Sequence, residues 1–130
     1  MSLIKDLKKI GRNTFHAKIV LTLLYLEKIS YFKLPFKILR KIIIQGFYSC
    51  EIHPDSFRSK EAIATCRLPH PYLIIIHRTT SIGINSTIFH NVTIGVIEGN
   101  NRKLQASYLG DNIYIGCDSA ILGNLTIGKM

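Results

Sequence analysis

The sequence predicts a mainly β fold: a solenoid of short extended rungs in the second half of the chain, preceded by a short α-helical region. Three observations carry this expectation. Ile76, Ile82, Ile88 and Ile94 stand six residues apart, and Leu109, Ile115, Ile121 and Ile127 repeat the spacing after a break. Glycine follows the aliphatic residue at Gly83, Gly95, Gly110, Gly116 and Gly128, and a small or aliphatic residue stands four positions after the anchor at Thr80, Ser86, Val92, Ile113, Ser119 and Leu125. The first fifty residues instead space their apolar side chains as helices do and hold most of the positive charge.

Six is even, so every repeat returns the same face of an extended segment to the interior. It fits no helical period of about 3.6. A short repeat of this kind builds a solenoid in which each rung buries its aliphatic residues against the next. Glycine beside each anchor is expected to let the chain turn where a bulky residue would clash.

The N-terminal region reads as three helices. Leu3, Ile4, Leu7 and Ile10 share one face, with Gly11 positioned to end the element. A second helix is expected from about His16 to Ile29, carrying Ile19, Val20, Leu23, Leu24 and Leu26. A third begins near Pro35, a residue tolerated in a first turn, with Gly46 as its expected stop. With 130 residues and 47% apolar content the chain holds one main body. The expected division is a basic α-helical region over 1–48 and the repeat over 49–130.

Charge is unevenly placed. Residues 1–50 carry ten Lys or Arg against Asp6 and Glu27, a net of +8, whereas residues 51–130 carry seven against six acids. The basic helices are expected to cap the repeat and to make a weak, salt-sensitive contact with an anionic membrane surface. No recognisable module or interleaved exposed aromatics supports nucleic-acid binding. The longest apolar run, Ile19–Leu26, falls far short of the ~20 residues of a spanning helix, and no small-residue cleavage site suggests a signal peptide. Three widely spaced cysteines, Cys50, Cys66 and Cys117, form no C-x-x-C pair. They point to reduced thiols in a cytoplasm-like compartment, at most peripheral at the inner membrane surface, and against a metal site.

Residues 50–95 carry further motifs in order: Glu51-Ile52-His53-Pro54, then Leu68-Pro69-His70-Pro71, then Ile74-Ile75-Ile76, Ser81-Ile82-Gly83 and Asn91-Val92-Thr93-Ile94-Gly95. This order resembles the serine acetyltransferase family, which includes related O-acetyltransferases of capsule and colanic-acid polysaccharide synthesis. Ile115 to Gly123 looks like the cofactor-binding hexads of that family. The short helical N-terminus looks more like the polysaccharide branch.

The resemblance implies a left-handed parallel β-helix of hexapeptide repeats, assembled as a homotrimer, and an acetyl-CoA-dependent O-acetyltransfer to a sugar hydroxyl or to L-serine. It makes His70 the general base and Glu51 the acid that orients its imidazole. Chemically this is reasonable, because an alcohol is a poor nucleophile at neutral pH and imidazole is the ordinary side-chain base there. Acetyl-CoA as co-substrate is expected against Gly95, Val96, Gly116 and Cys117, where small residues expose backbone groups. His53 and His90 are the candidates for acceptor binding.

Some features depart from the family. Nineteen residues separate Glu51 from His70, so an insertion lies between acid and base. Leu73 stands where glycine is favoured, and Ala106 stands where the cysteine-pathway enzymes place a second histidine, which favours a sugar acceptor. The segment Val96–Tyr108 breaks the hexad count. The chain ends at Met130, three residues after Ile127, so an incomplete last coil is expected. The competing expectation is a truncated, non-catalytic solenoid acting as a scaffold or membrane-surface module.

Overall fold

The computed structural model describes residues 2–98, 104–105, 107–123 and 125–128. Three helices come first: α1 (Ser2–Ile10), α2 (Phe15–Ile29) and α3 (Lys33–Leu39). The backbone N–H of Gly11 donates to the Leu7 carbonyl and closes α1 where the sequence placed its end. In α2, Ala17, Val20, Leu21, Leu24 and Tyr25 form a buried stripe at helical spacing. The Tyr25 hydroxyl donates to the Asp6 carboxylate at 2.6 Å inside the protein and ties α2 to α1. Burial, then the neighbouring acid, raises the hydroxyl's pKa well above its ordinary value and keeps it a donor.

From α3 the chain runs on as a wider π-helix over Arg40–Phe47. Gly46 lies inside this turn and does not stop it. The element closes two residues later, where the Tyr48 N–H donates to the Ile43 carbonyl. Between them α3 and the π-helix bury a single residue, Ile44.

The strands are short: β1 (Glu51–Ile52), β2 (Ile75–Ile76), β3 (Ser81–Ile82), β4 (Thr87–Ile88), β5 (Thr93–Gly95), β6 (Ile97–Glu98), β7 (Leu104–Gln105), β8 (Tyr108–Leu109), β9 (Tyr114–Ile115), β10 (Ala120–Leu122) and β11 (Thr126–Ile127). All but β6 and β7 pair in parallel, in three sheets: β1-β2-β5-β10, β3-β8-β11 and β4-β9. The chain visits these first, second and third sheets in rotation. It returns from Ile75 to Thr93 after eighteen residues, and from Thr93 to Ala120 after twenty-seven. The longer return contains the antiparallel pair β6–β7, which takes up the extra residues of the Val96–Tyr108 segment. Helices hold more of the described residues than strands do, so the fold is mixed α/β, with the short parallel strands gathered in the second half.

The insertion between Glu51 and His70 has a physical form. Phe57 bridges Ile82 in the second sheet and Arg67 bridges Thr87 in the third. Between them lies a helical turn, α4 (Lys60–Ala64), whose start is capped by the Ser59 hydroxyl accepting from the Ala62 N–H. The extra residues bulge out as a helix, and the chain rejoins the sheets in register.

The anchors are the core. Ile76, Ile82, Ile88, Ile94, Leu109 and Ile115 are buried, and Ile121 and Ile127 are partly buried against them. The turns differ from expectation, however. The glycines after the anchors at 83, 95, 110 and 116 do not adopt positive φ; the corners use other residues. Ser49, Leu73, Asn91 and Asp118, each two residues before a strand of the first sheet, have φ of 55°, 57°, 54° and 61°. Asn85 and Asn112 do the same before the third sheet, at 58° and 61°. Asparagine and aspartate tolerate this left-handed conformation. Gly83 answers a different need: a Cβ there would lie 2.9 Å from the Gly110 carbonyl carbon and would collide with Arg58 and Asp111.

Two glycine substitutions therefore separate. Gly83→Ala is expected to destabilise the fold by about 1–3 kcal/mol, the usual cost of overpacking. Gly116→Ala, where the added methyl meets nothing within 4 Å, is expected to stay within about 0.5 kcal/mol of the parent. Urea unfolding of the two variants checks this.

Candidate functional site

Parallel pairing in register stacks equivalent corner residues. Arg67 bridges Thr87, a return of twenty residues, and the same return carries His70 onto His90. Their rings meet edge to face, with centroids 5.5 Å apart and planes at 83°. The Asp118 N–H donates to the His90 carbonyl at 3.4 Å. That contact brings Gly116 and Cys117 to the same corner. The Asn91 side-chain amide donates to the Asp118 carboxylate at 2.6 Å, pinning adjacent coils together.

His70 is exposed, and among the described residues its ring makes no hydrogen bond. Its backbone is nonetheless fixed. Pro71 is buried, and its carbonyl accepts from the Cys50 thiol at 3.3 Å. Burial raises the Cys50 pKa, which keeps the thiol protonated as that donor. Tyr72 packs on Tyr48 at 5.6 Å, and the Tyr48 hydroxyl bonds His16 of α2 at 2.8 Å. The helical region thus props the corner that presents His70. The imidazole of His90 is less open, and its Nδ1 is buried without a hydrogen-bond partner.

A second cluster lies at the next corner. Glu51 pairs with Ile75 across β1 and β2, so His53 falls over His77. Arg40, Glu51, His53, His77 and Arg78 line a cavity of about 180 Å³. Arg40 also holds the buried Glu27 at 2.8 Å. The Asp55 N–H donates to His53 Nδ1 at 3.0 Å. An accepting Nδ1 must carry a lone pair, so His53 is neutral and protonated on the other nitrogen. Burial, and secondarily Arg40, lower its pKa accordingly. The Asp55 carboxylate, 3.5 Å from the same nitrogen, pairs instead with Arg78 at 3.3 Å.

The expected site residues therefore fall into two groups. His70, His90, Gly116 and Cys117 share one corner. Glu51 and His53 sit at the other, near the end of β5 at Gly95, which Val96 follows. Among the described residues no hydrogen bond joins Glu51 to His70. Ala106, expected in place of a second histidine, lies outside the described residues. Sequence reasoning missed Arg40, His77 and Arg78 as neighbours of Glu51; the equal offsets from Glu51 to Ile75 and from His53 to His77 were the available signal. Leu73 occupies a left-handed position that glycine would adopt without strain.

Comparison with known proteins gives one consistent likeness. The chain is 33% identical over 87 residues to a serine acetyltransferase of Staphylococcus aureus, a match covering 67% of this chain and 38% of that protein. It is 32% identical over 85 residues to the serine acetyltransferase of Staphylococcus xylosus, covering 65% and 37%. With that of Staphylococcus epidermidis it shares 35% over 81 residues, covering 62% and 36%. The match thus spans well under half the length of these curated relatives. No protein-family model and no solved structure matches the chain.

The lowered pKa of His53 has a definite consequence for stability. Between its folded value and the ordinary value of about 6.5 the unfolded chain binds more protons than the folded one. Its contribution is therefore present above about pH 6.5 and is lost as pH falls through the lowered folded pKa. Denaturant unfolding as a function of pH should show His53→Asn with a shallower loss of stability on acidification than the parent.

Proposed function

We propose that this chain is the core of an acetyl-CoA-dependent O-acetyltransferase, with His70 as general base. The observation that carries the reading is His70 itself: an exposed imidazole without a hydrogen bond among the described residues, on a backbone fixed by buried Pro71, at a corner shared with His90 and Cys117. The likeness to serine acetyltransferases supplies the reaction class. The three parallel sheets visited in rotation support a parallel β-helix; its left-handed winding, and a trimer with sites between subunits, rest on the likeness to serine acetyltransferases.

The step is a proton transfer coupled to acyl transfer. Acetyl-CoA supplies the acyl group as a thioester. His70 takes the proton from the acceptor hydroxyl as its oxygen bonds to the thioester carbonyl carbon. Collapse of the tetrahedral species breaks the C–S bond, and the imidazolium returns the proton to the leaving thiolate. His90, edge to face with His70 and only partly buried, is the candidate to contact the acceptor beside the base. Backbone groups at exposed Cys117 and partly buried Gly116, and at partly buried Gly95 and Val96 on a neighbouring subunit, would hold the pantetheine arm.

Glu51 lies with Arg40, His53, His77 and Arg78 and away from the His70 ring. Its role is therefore weaker than that of an orienting acid bonded to the base. The acceptor we favour is a sugar hydroxyl of a polysaccharide precursor, with L-serine as the alternative.

Acetyl-CoA with a panel of sugars and serine, followed by free thiol, tests the reading. His70→Ala is expected to lower turnover at least ~10²-fold, the ordinary loss for a general base, with the fold retained. Glu51→Gln should cost far less. No acceptor-dependent thiol release by the parent chain, or an undiminished rate in His70→Ala, would refute the assignment; the parent result would then favour a scaffold that keeps the fold without turnover.

A further inference from the structure

We infer that the outer face of α3 and the following π-helix, joined by Phe15 of α2, is a docking surface for an anionic lipid bilayer. The expected electrostatic contact becomes, on this structure, an apolar insertion ringed by lysines.

Three observations carry it. First, Leu34, Ile38 and Ile42 stand four residues apart on one helical face and are 67%, 50% and 63% exposed. Phe47 at 70% and Phe15 at 68% continue the surface, and Phe15, Ile42 and Phe47 line one open apolar groove. Isolated exposed apolar residues are ordinary, but a contiguous patch of this kind marks an interaction surface. Second, the charge beside it is mainly cationic; the one neighbouring exposed acid among the described residues, Asp55 at the Leu34 end, is paired with Arg78. Lys18, Lys37 and Lys41 are exposed, and among the described residues they have no ion-pair partner. Third, both acids of the first fifty residues are buried, Asp6 against Tyr25 and Glu27 against Arg40. The exposed surface of this helical half therefore presents no carboxylate.

That combination selects the occupant. A bilayer accepts aliphatic and aromatic side chains at the boundary between headgroups and acyl chains, while lysines reach back to anionic headgroups. A second copy of this face would bring two predominantly basic surfaces together. A nucleic acid would satisfy the lysines but offers little to Leu34, Ile38 and Ile42. Among the described residues no helix is long and apolar enough to cross a membrane, so the contact is with the surface.

The test uses the 130-residue chain with phosphatidylcholine vesicles, alone or mixed with phosphatidylglycerol. Binding is expected only to the anionic vesicles at low salt. It should weaken but persist at about 0.15 M salt, because screening acts on the lysines and not on the apolar contact. Lys37→Glu with Lys41→Glu should weaken partitioning at least ~tenfold, since each lysine near the surface is worth roughly fivefold. The chain contains no tryptophan, so Phe47→Trp gives a clean reporter whose emission should shift to the blue with anionic vesicles only. Equal binding to both vesicles, no binding at low salt, or an unshifted indole emission from vesicle-bound Phe47→Trp protein would overturn the inference. So would lipid-free self-association that Ile42→Glu abolishes, which would assign the face to a second copy. Thiol release with soluble acceptors reads the catalytic proposal separately, and neither outcome decides the other.

Discussion

The three main sheets depend on parallel pairing that keeps its register although the length of the return varies. A parallel ladder fixes which residue lies over which, so a return of eighteen, twenty or twenty-seven residues decides the contents of each corner. The rule survives two interruptions. Helix α4 takes up extra residues before His70, and the β6–β7 pair takes them up after Val96. In both cases the chain re-enters its sheets with the anchors inward. His70 meets His90 because of this register and for no reason local to either residue.

The same constraint explains what the sequence showed and what it hid. Every anchor named from the six-residue spacing is wholly or partly buried, since burial of one face leaves a direct trace in a two-residue period. Helices α1 and α2 were legible in their extent and stops, but not in their buried faces: Leu3, Ile4 and Leu7 are exposed, and α2 buries Ala17, Leu21 and Tyr25 beside Val20 and Leu24. The corners were not, because glycines drew attention away from Asn85, Asn91, Asn112 and Asp118, which hold the positive φ. At Leu73 no preference for that conformation exists, and only tertiary context fixes it. Of the candidate site residues, His70, His90 and Cys117 came together, and Glu51 went to the arginine-flanked corner. The identity of each residue was visible; the return distance that sorts them into corners was not, because α4 could not be distinguished from a loop.

The helical half does two jobs with different faces. Its inner face carries Val20, Leu21, Leu24 and Tyr25 into the core, and through His16 and Tyr48 it braces the corner behind His70. Its two acids are committed to internal partners, Asp6 to Tyr25 and Glu27 to Arg40. Neither carboxylate reaches the surface, so the charged groups that residues 2–50 present to solvent are cationic. An unpaired Asp6 or Glu27 would be costly in that interior, which ties the surface charge to the packing of α1, α2 and the π-helix.

The central claim is that coil stacking sets the His70 ring against the His90 ring. With five histidines in the chain, proton NMR of the imidazole side chains can test it directly, using His70→Gln and His90→Gln for assignment. Rings whose centroids lie 5.5 Å apart should give a cross-relaxation peak between ring protons of His70 and His90, and none between His70 and His53 or His77. A His70 ring that shows contact with His53 or His77 and none with His90 would contradict the account.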